Sequence, residues 1–234
     1  MAGLRRLPPG VHRHAGRERP GHRGDRHGLL RGASVTAARA GSRSRKTKET
    51  DVAVTLKLDA TGQARVSTGI PFMDHMLELM AVHGLIDLTV KASGDLPVDQ
   101  HHTVEDLGLV LGRALDEALG DRGGIVRFAS ITLPMDECLV NVAVDLGGRP
   151  AFAYDLKPSE RIVGSFDTTL MPHFLESLAQ TGRLTLHVTQ LRGGNPHHLL
   201  EATMKALGRV IDAAARRDPR RAGKVPSSKG RVGA

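Results

Sequence analysis

The chain has 234 residues, 40% of them hydrophobic, enough for one substantial core or two small ones, and no apolar run reaches the roughly 18 to 20 residues that a membrane helix needs. A single cysteine, Cys138, excludes an internal disulfide and points to a reducing cytoplasm; no Trp and one Tyr leave no base-stacking platform for single-stranded nucleic acid. The net charge of +8 is lopsided: Met1 to Gly41 holds nine Arg against two acidic residues, whereas the rest carries 24 basic against 23 acidic side chains, so the basic character belongs to the N-terminal segment alone and predicts neither nucleic-acid nor membrane binding for the folded part.

Residues 1–41 are rich in Arg, Gly, His and Pro and show no lasting period. They read as a disordered tail or a translated leader. No apolar stretch makes them a secretory signal, and nothing would hold the geometry of His12, His14, His22 and His27 for metal binding. Asp51 to Leu58 alternates as a strand, Asp59 to Gly62 is a turn, and Gln63 to Thr68 reads as the returning strand of a hairpin. His75 to His83 is helical in pattern and Leu85 to Ala92 a strand. His102 to Leu119 is an amphipathic helix with Val104, Leu107, Leu111, Leu115 and Ala118 on one face and Gly120 near its end. Strands follow at Ile125 to Leu133, Leu139 to Leu146 and Ala151 to Leu156, a helix at His173 to Gln180, a strand at Leu184 to Leu191 and a helix at His198 to Ala215. Arg216 to Ala234 reads as polar and irregular.

The second half echoes the first. Met73-Asp-His-Met-Leu-Glu-Leu-Met-Ala81 matches Met171-Pro-His-Phe-Leu-Glu-Ser-Leu-Ala179. A strand and a Gly-containing loop follow each, and then His101-His102-Thr103-Val104-Glu105 matches His197-His198-Leu199-Leu200-Glu201 at a constant offset of 96 residues, kept as far as Ala118 and Ala214. An internal duplication follows: 42–134 as a first repeat, 135–230 as a second, and 231–234 as a tail. The fold class is α+β, each half a two-layer unit of a mostly antiparallel sheet of about four strands on two helices.

Six of the eight histidines beyond the tail fall in the repeat: His75, His101, His102, His173, His197 and His198. On a helix, residues four apart share a face, so His101 with Glu105 and His197 with Glu201 each form a two-toothed ligand. His102 and His198 point about 100° away and do not easily serve the same ion as the pair beside them. Two ions, each also reached by an adjacent His, satisfy this pattern. Imidazole with carboxylate and no thiolate favours a harder ion such as Mn²⁺ over a closed zinc site. His83 and His187 alone read as ordinary hydrogen-bonded residues.

The segments Thr68-Gly-Ile-Pro-Phe-Met-Asp-His-Met-Leu77, His83-Gly84, Gly94-Asp95-Leu96, His101 to Asp106, Pro134-Met-Asp-Glu137, Gly193-Gly-Asn195 and Pro226-Ser-Ser-Lys-Gly230 resemble the imidazoleglycerol-phosphate dehydratase family of histidine biosynthesis. The resemblance runs from about Arg45 to Gly230. It implies a fold like domain 2 of ribosomal protein S5 and a homo-oligomer, a 24-mer, with sites at subunit interfaces. It implies two Mn²⁺ per active site, one held by His75, His102, His197 and Glu201 and the other by His101, Glu105, His173 and His198.

For the substrate, a phosphorylated imidazole, the resemblance implies binding by Glu49, His75, His83, His101, Glu105, Arg127, Arg149, His197, Lys205, Ser227, Ser228 and Lys229, the guanidinium and ammonium groups facing the phosphate. The implied reaction is loss of water from D-erythro-imidazole-glycerol phosphate to give imidazole-acetol phosphate. It runs through an imidazolate held by both ions, with Glu49 as the acid/base that takes the C–H proton. Ala129, Gly147, Met204 and Ser228 depart from the family's usual residues, and none of them is a ligand. The alternative on the same donor set is a two-metal hydrolase of phosphate esters, using a metal-bound water as nucleophile.

Overall fold

Alternation along Thr50–Lys57 is strict, with Thr50, Val52, Val54 and Leu56 buried and the residues between them exposed. Cys138–Asp145 buries Cys138, Val140, Val142 and Val144 in the same way. Such a period of two makes a strand with one face on a core, and these two strands lie at the centre of two sheets. The coordinates are a computed structural model in which residues 38–221, 223–228, 230 and 232 are described; the N-terminal tail ahead of residue 38 and Lys229 lie outside them.

The first sheet contains β1 (Ala40–Lys46), β2 (Thr50–Lys57), β3 (Ala64–Ser67) and β4 (Asp87–Gly94) in the order β1-β2-β4-β3. The second contains β5 (Phe128–Met135), β6 (Cys138–Asp145), β7 (Ala151–Asp155) and β10 (Thr185–Arg192) in the order β5-β6-β10-β7. The orders are the same under the exchange of halves. A short hairpin, β8 (Ile162–Val163) with β9 (Phe166–Asp167), is the second half's insertion. Each half adds two helices: α1 (Pro71–Gly84) and α2 (His101–Leu119), then α3 (Leu170–Thr181) and α4 (Pro196–Ala215). The duplicated α+β architecture is thus as expected.

Three details differ from the sequence reading. β3 does not return beside β2 as a hairpin strand; it pairs in parallel with β4, Val66 opposite Val90, and β7 pairs in parallel with β10 in the same way. α1 intervenes between β3 and β4 and makes the crossover that a parallel pair requires. β1 begins at Ala40, inside the segment expected to be a tail, and its full length pairs antiparallel with β2. β5 belongs to the second sheet, so the strands divide between the halves ahead of Phe128 rather than at residue 134.

The helices pack across the halves. α2 lies on α3, and α1 lies on α4, while each pair also rests on its own sheets. Both crossings are close because glycine permits it. A Cβ on Gly208 would stand 2.2 Å from the Met80 carbonyl oxygen, and one on Gly112 would stand 2.6 Å from that of Leu178. The buried face is aliphatic: Met76, Met80, Leu107, Leu111, Leu175, Leu178, Leu207 and Ile211 are at most 3% exposed. Crossed pairing brings the lone histidine of one half beside the histidine pair of the other.

Candidate metal centre and active site

Both histidine pairs occupy the first turn of a helix. Asn195 caps α4 by accepting from the His198 backbone N–H at 3.2 Å, with Pro196 at the first helical position. Asp99 accepts from the His101 N–H at 2.8 Å. These are ordinary N-terminal signals, and they fix the rotation of each helix. His101 and Glu105 then share one face of α2, and His197 and Glu201 share one face of α4.

The crossed helix packing completes each face. His197 Nε2 lies 3.0 Å and His75 Nε2, from α1, lies 3.7 Å from the same Glu201 oxygen, and the ligand atoms of these three residues lie within 4.8 Å of one another. In the other crossing, His101 Nε2 is 4.0 Å from Glu105 Oε2, and the ring of His173, from α3, is 4.9 Å from that of His101. Donors around one transition-metal ion at about 2.1 Å sit roughly 3 to 4 Å apart, so nitrogen and oxygen groups at these separations fit a divalent cation. The two triads mirror one another across the duplication.

His102 and His198 join neither triad. His102 Nδ1 donates to Asp95 Oδ2 at 3.0 Å, with Glu49 Oε2 3.9 Å away. His198 Nδ1 donates to Glu137 Oε2 at 2.8 Å, and its Nε2 is 3.6 Å from Asp136. These carboxylates set the charge of the rings. The Asp95 hydrogen bond raises the His102 pKa and the Glu137 hydrogen bond raises that of His198, while Glu137, through the same bond to His198, is pulled down to about 2. Burial opposes the charge on Glu201, but Lys205, His197 and His75 outweigh it and hold the carboxyl below its usual range. Cys138 lies against Glu137 and His198, but burial pushes its thiol up, which disfavours the thiolate a metal requires.

Glu49 is exposed at the tip of the β1–β2 hairpin and lines an open basin of about 360 Å³ with Lys48, Asp51 and Asp95. Arg127, Ser227 and Ser228 line a second basin of about 650 Å³, together with Arg220, Arg221 and Lys224. Arg127 reaches it while paired with Asp145 at 2.7 and 2.9 Å and donating to the Pro226 carbonyl at 2.7 Å. Lys205 is elsewhere, on α4, with its ammonium 2.5 Å from Glu201. His83 is half-buried on α1, its pKa lowered by burial and then by Lys205 and Arg209. Arg149 is exposed and outside that basin; its carbonyl accepts from Thr185 Oγ1 at 3.3 Å. Sequence reasoning assigned no role to Asp95 or Glu137, although both stand inside motifs it singled out. The missed signal was the hairpin: Glu49 immediately precedes β2 and Glu137 immediately precedes β6.

Fold and donor set together define a duplicated α+β protein with candidate metal-ligating groups gathered between its halves. Residues 68–211 match the family model described as Imidazoleglycerol-phosphate dehydratase. The chain is 54% identical over 199 residues to the Imidazoleglycerol-phosphate dehydratase of Synechococcus elongatus, covering 85% of this chain and 95% of that protein. It is 50% identical over 198 residues to Imidazoleglycerol-phosphate dehydratase 1, chloroplastic, of Arabidopsis thaliana, covering 85% of this chain and 73% of that one. The crystal structure of Imidazoleglycerol-phosphate dehydratase from Staphylococcus aureus superposes with a TM-score of 0.70 at 34% identity, covering 76% of this chain and 99% of that chain. The structure of the Pyrococcus furiosus enzyme gives 0.69 at 35% identity, covering 81% and 100%. The chain belongs to the imidazoleglycerol-phosphate dehydratase family, the hydro-lyases of histidine biosynthesis.

Proposed function

We propose that this chain removes water from imidazole-glycerol phosphate to give imidazole-acetol phosphate, with two Mn²⁺ ions per site. The observation that carries the proposal is the pair of crossed triads, His75, His197 and Glu201 against His101, Glu105 and His173. Each triad leaves an ion short of its full coordination. His102 and His198, which face away from both, are the fourth protein ligands, and a neighbouring copy of the chain supplies them. The site therefore lies at a subunit interface of a homo-oligomer, a 24-mer in the reading carried by the family motifs.

Bound cations would act as Lewis acids on the two ring nitrogens and draw charge from the ring as the adjacent hydroxyl leaves. Glu49 takes the proton from the neighbouring side-chain carbon; its exposed carboxylate and the flanking Asp95 line the basin where that carbon would sit. The resulting enol becomes the ketone of the product. Arg127, Ser227 and Ser228, with Lys229, Arg149 and Lys205, hold the phosphate by charge and N–H or O–H donation. Among the described residues no helix is long and apolar enough to cross a membrane, and a reducing cytoplasm is the proposed compartment.

The test is direct. Purified full-length chain loaded with Mn²⁺ and given imidazole-glycerol phosphate should release imidazole-acetol phosphate. Release of inorganic phosphate instead would establish the two-metal hydrolase. Glu49→Gln should keep its metal while turnover falls by at least about 10²-fold, the scale of one general acid/base; undiminished turnover would remove Glu49 from this role.

A further inference from the structure

The two sheets share a register that pairs Glu49 with Glu137. In the first sheet Val54 lies opposite Val90, and in the second Val142 lies opposite Val188. Under that equivalence Thr50, the first residue of β2, corresponds to Cys138, the first residue of β6, and the residues just before them are Glu49 and Glu137. Each carboxylate stands at a hairpin tip near the second histidine of its own half's pair. Their contacts differ. Glu137 accepts from His198 Nδ1 at 2.8 Å, whereas Glu49 stops 3.9 Å from His102 Nδ1, which donates to Asp95 instead.

The difference has a steric cause. Asp95 directly follows β4, and the residue that directly follows β10 is Gly193. Gly193 has φ +85°, and a Cβ there would stand 2.4 Å from Cys138 Sγ and 2.6 Å from Cys138 Cα. The second half cannot carry a side chain where the first carries Asp95. Only the hairpin carboxylate remains to hold His198.

We propose that the duplicated hairpin carboxylate has split its work: Glu137 and Asp95 are the positioning residues of His198 and His102, and Asp95 thereby releases Glu49 for proton transfer. Each positioning carboxylate binds Nδ1, fixes the tautomer with the proton there, and presents Nε2 to an ion. A ligating imidazole is commonly oriented through its other ring nitrogen in this manner, and loss of the partner typically costs 10- to 100-fold in metal affinity. The proposal rests on the reading of His102 and His198 as ligands.

Mn²⁺ affinity of the full-length assembled protein, measured by competition with a chelator, separates the roles. Glu137→Ala and Asp95→Ala should each weaken Mn²⁺ binding about 10- to 100-fold. Glu137→Gln, which keeps a carbonyl acceptor, should fall between Glu137→Ala and the unchanged protein, and Glu49→Ala should bind Mn²⁺ like the unchanged protein. Thermal unfolding of the metal-free chains should be alike for Glu137→Ala and the parent, since that side chain is exposed. If His198→Ala loses Mn²⁺ while Glu137→Ala retains it fully, the positioning role is overturned and the ligand reading stands. If His198→Ala also binds Mn²⁺ undiminished, the ligand reading itself fails. Equal loss in Glu49→Ala and Glu137→Ala would overturn the split of roles.

Discussion

Glu201 meets His197 across one turn of α4 with 3.0 Å between carboxylate and imidazole, and its second oxygen holds the Lys205 ammonium at 2.5 Å. The carboxylate is 8% exposed and is shared by His75 from the other half. Glu201→Gln removes the negative charge that attracts a cation and that neutralises Lys205. Two effects should follow. Metal content by elemental analysis should fall by about half if one of two ions is lost, and the metal-free protein should lose roughly 1.5 to 3 kcal/mol, the range for a hydrogen bond to a charged group left unmade. Glu201→Gln combined with Lys205→Met should recover part of that stability in urea unfolding without recovering metal.

Gly208 sits where α4 crosses α1, and its added Cβ would stand 2.2 Å from the Met80 carbonyl oxygen and 2.9 Å from the Gly84 nitrogen. Backbone atoms cannot step aside as a side-chain end would. In an open helix Gly→Ala stabilises by about 1 kcal/mol; at this crossing the sign reverses, and Gly208→Ala should cost about 1 to 3 kcal/mol, as overpacking does. The same substitution should weaken metal binding, because separating α1 from α4 draws His75 away from His197 and Glu201. A higher melting temperature in calorimetry would refute the close crossing.

The core was legible because it follows periodic patterns: α2 and α4 carry their apolar residues on one face, and β2 and β6 alternate without a break. The ligand partition was legible because residues four apart on a helix share a face, which separated His101 and Glu105 from His102. What was hidden depended on non-local packing. β1 is a polar edge strand, Ala-Gly-Ser-Arg-Ser-Arg-Lys; an edge strand is often charged to prevent further pairing, and so it resembles the tail ahead of it. Its one buried small residue, Gly41, is required by the Ala114 carbonyl, 1.9 Å from any Cβ placed there, a constraint that no local pattern shows. The parallel placement of β3 depends on the route of α1, and the partners of His102 and His198 depend on hairpin tips distant in sequence or on a loop.

Tyr154 is the only tyrosine in a chain without tryptophan, so its ionisation is cleanly visible near 295 nm. Burial raises its pKa well above the ordinary phenol range, since taking the phenolate out of water disfavours the charged form. The folded state therefore holds its proton at pH values where the unfolded state has lost it. Stability from this group is fully present below the unfolded value of about 10 and is lost as pH rises toward the folded value. The folded protein should show no tyrosinate absorbance at pH 10.5, and its appearance at higher pH should coincide with loss of the far-ultraviolet circular dichroism signal. Reversible titration near pH 10 with the fold intact would contradict this.

Arg122 is 2% exposed and ties three chain ends together. Its guanidinium donates to the carbonyls of Leu146 at 3.1 Å, Arg183 at 2.8 Å and Gly182 at 2.9 Å, and pairs with Asp116 on α2. These contacts join the last turns of α2 and α3 to the end of β6, and they surround the charge so that its burial is tolerated. A planar fork reaches these acceptors together, whereas an ammonium on a flexible stem cannot match that geometry. Arg122→Lys keeps the charge but leaves at least one buried carbonyl without a donor, at about 1 to 3 kcal/mol each. Urea unfolding should show a lower midpoint by that amount. Mn²⁺ affinity should be unchanged, because the histidine triads lie at the opposite ends of these helices. A variant as stable as the parent would mean that water or a neighbouring donor replaces the fork.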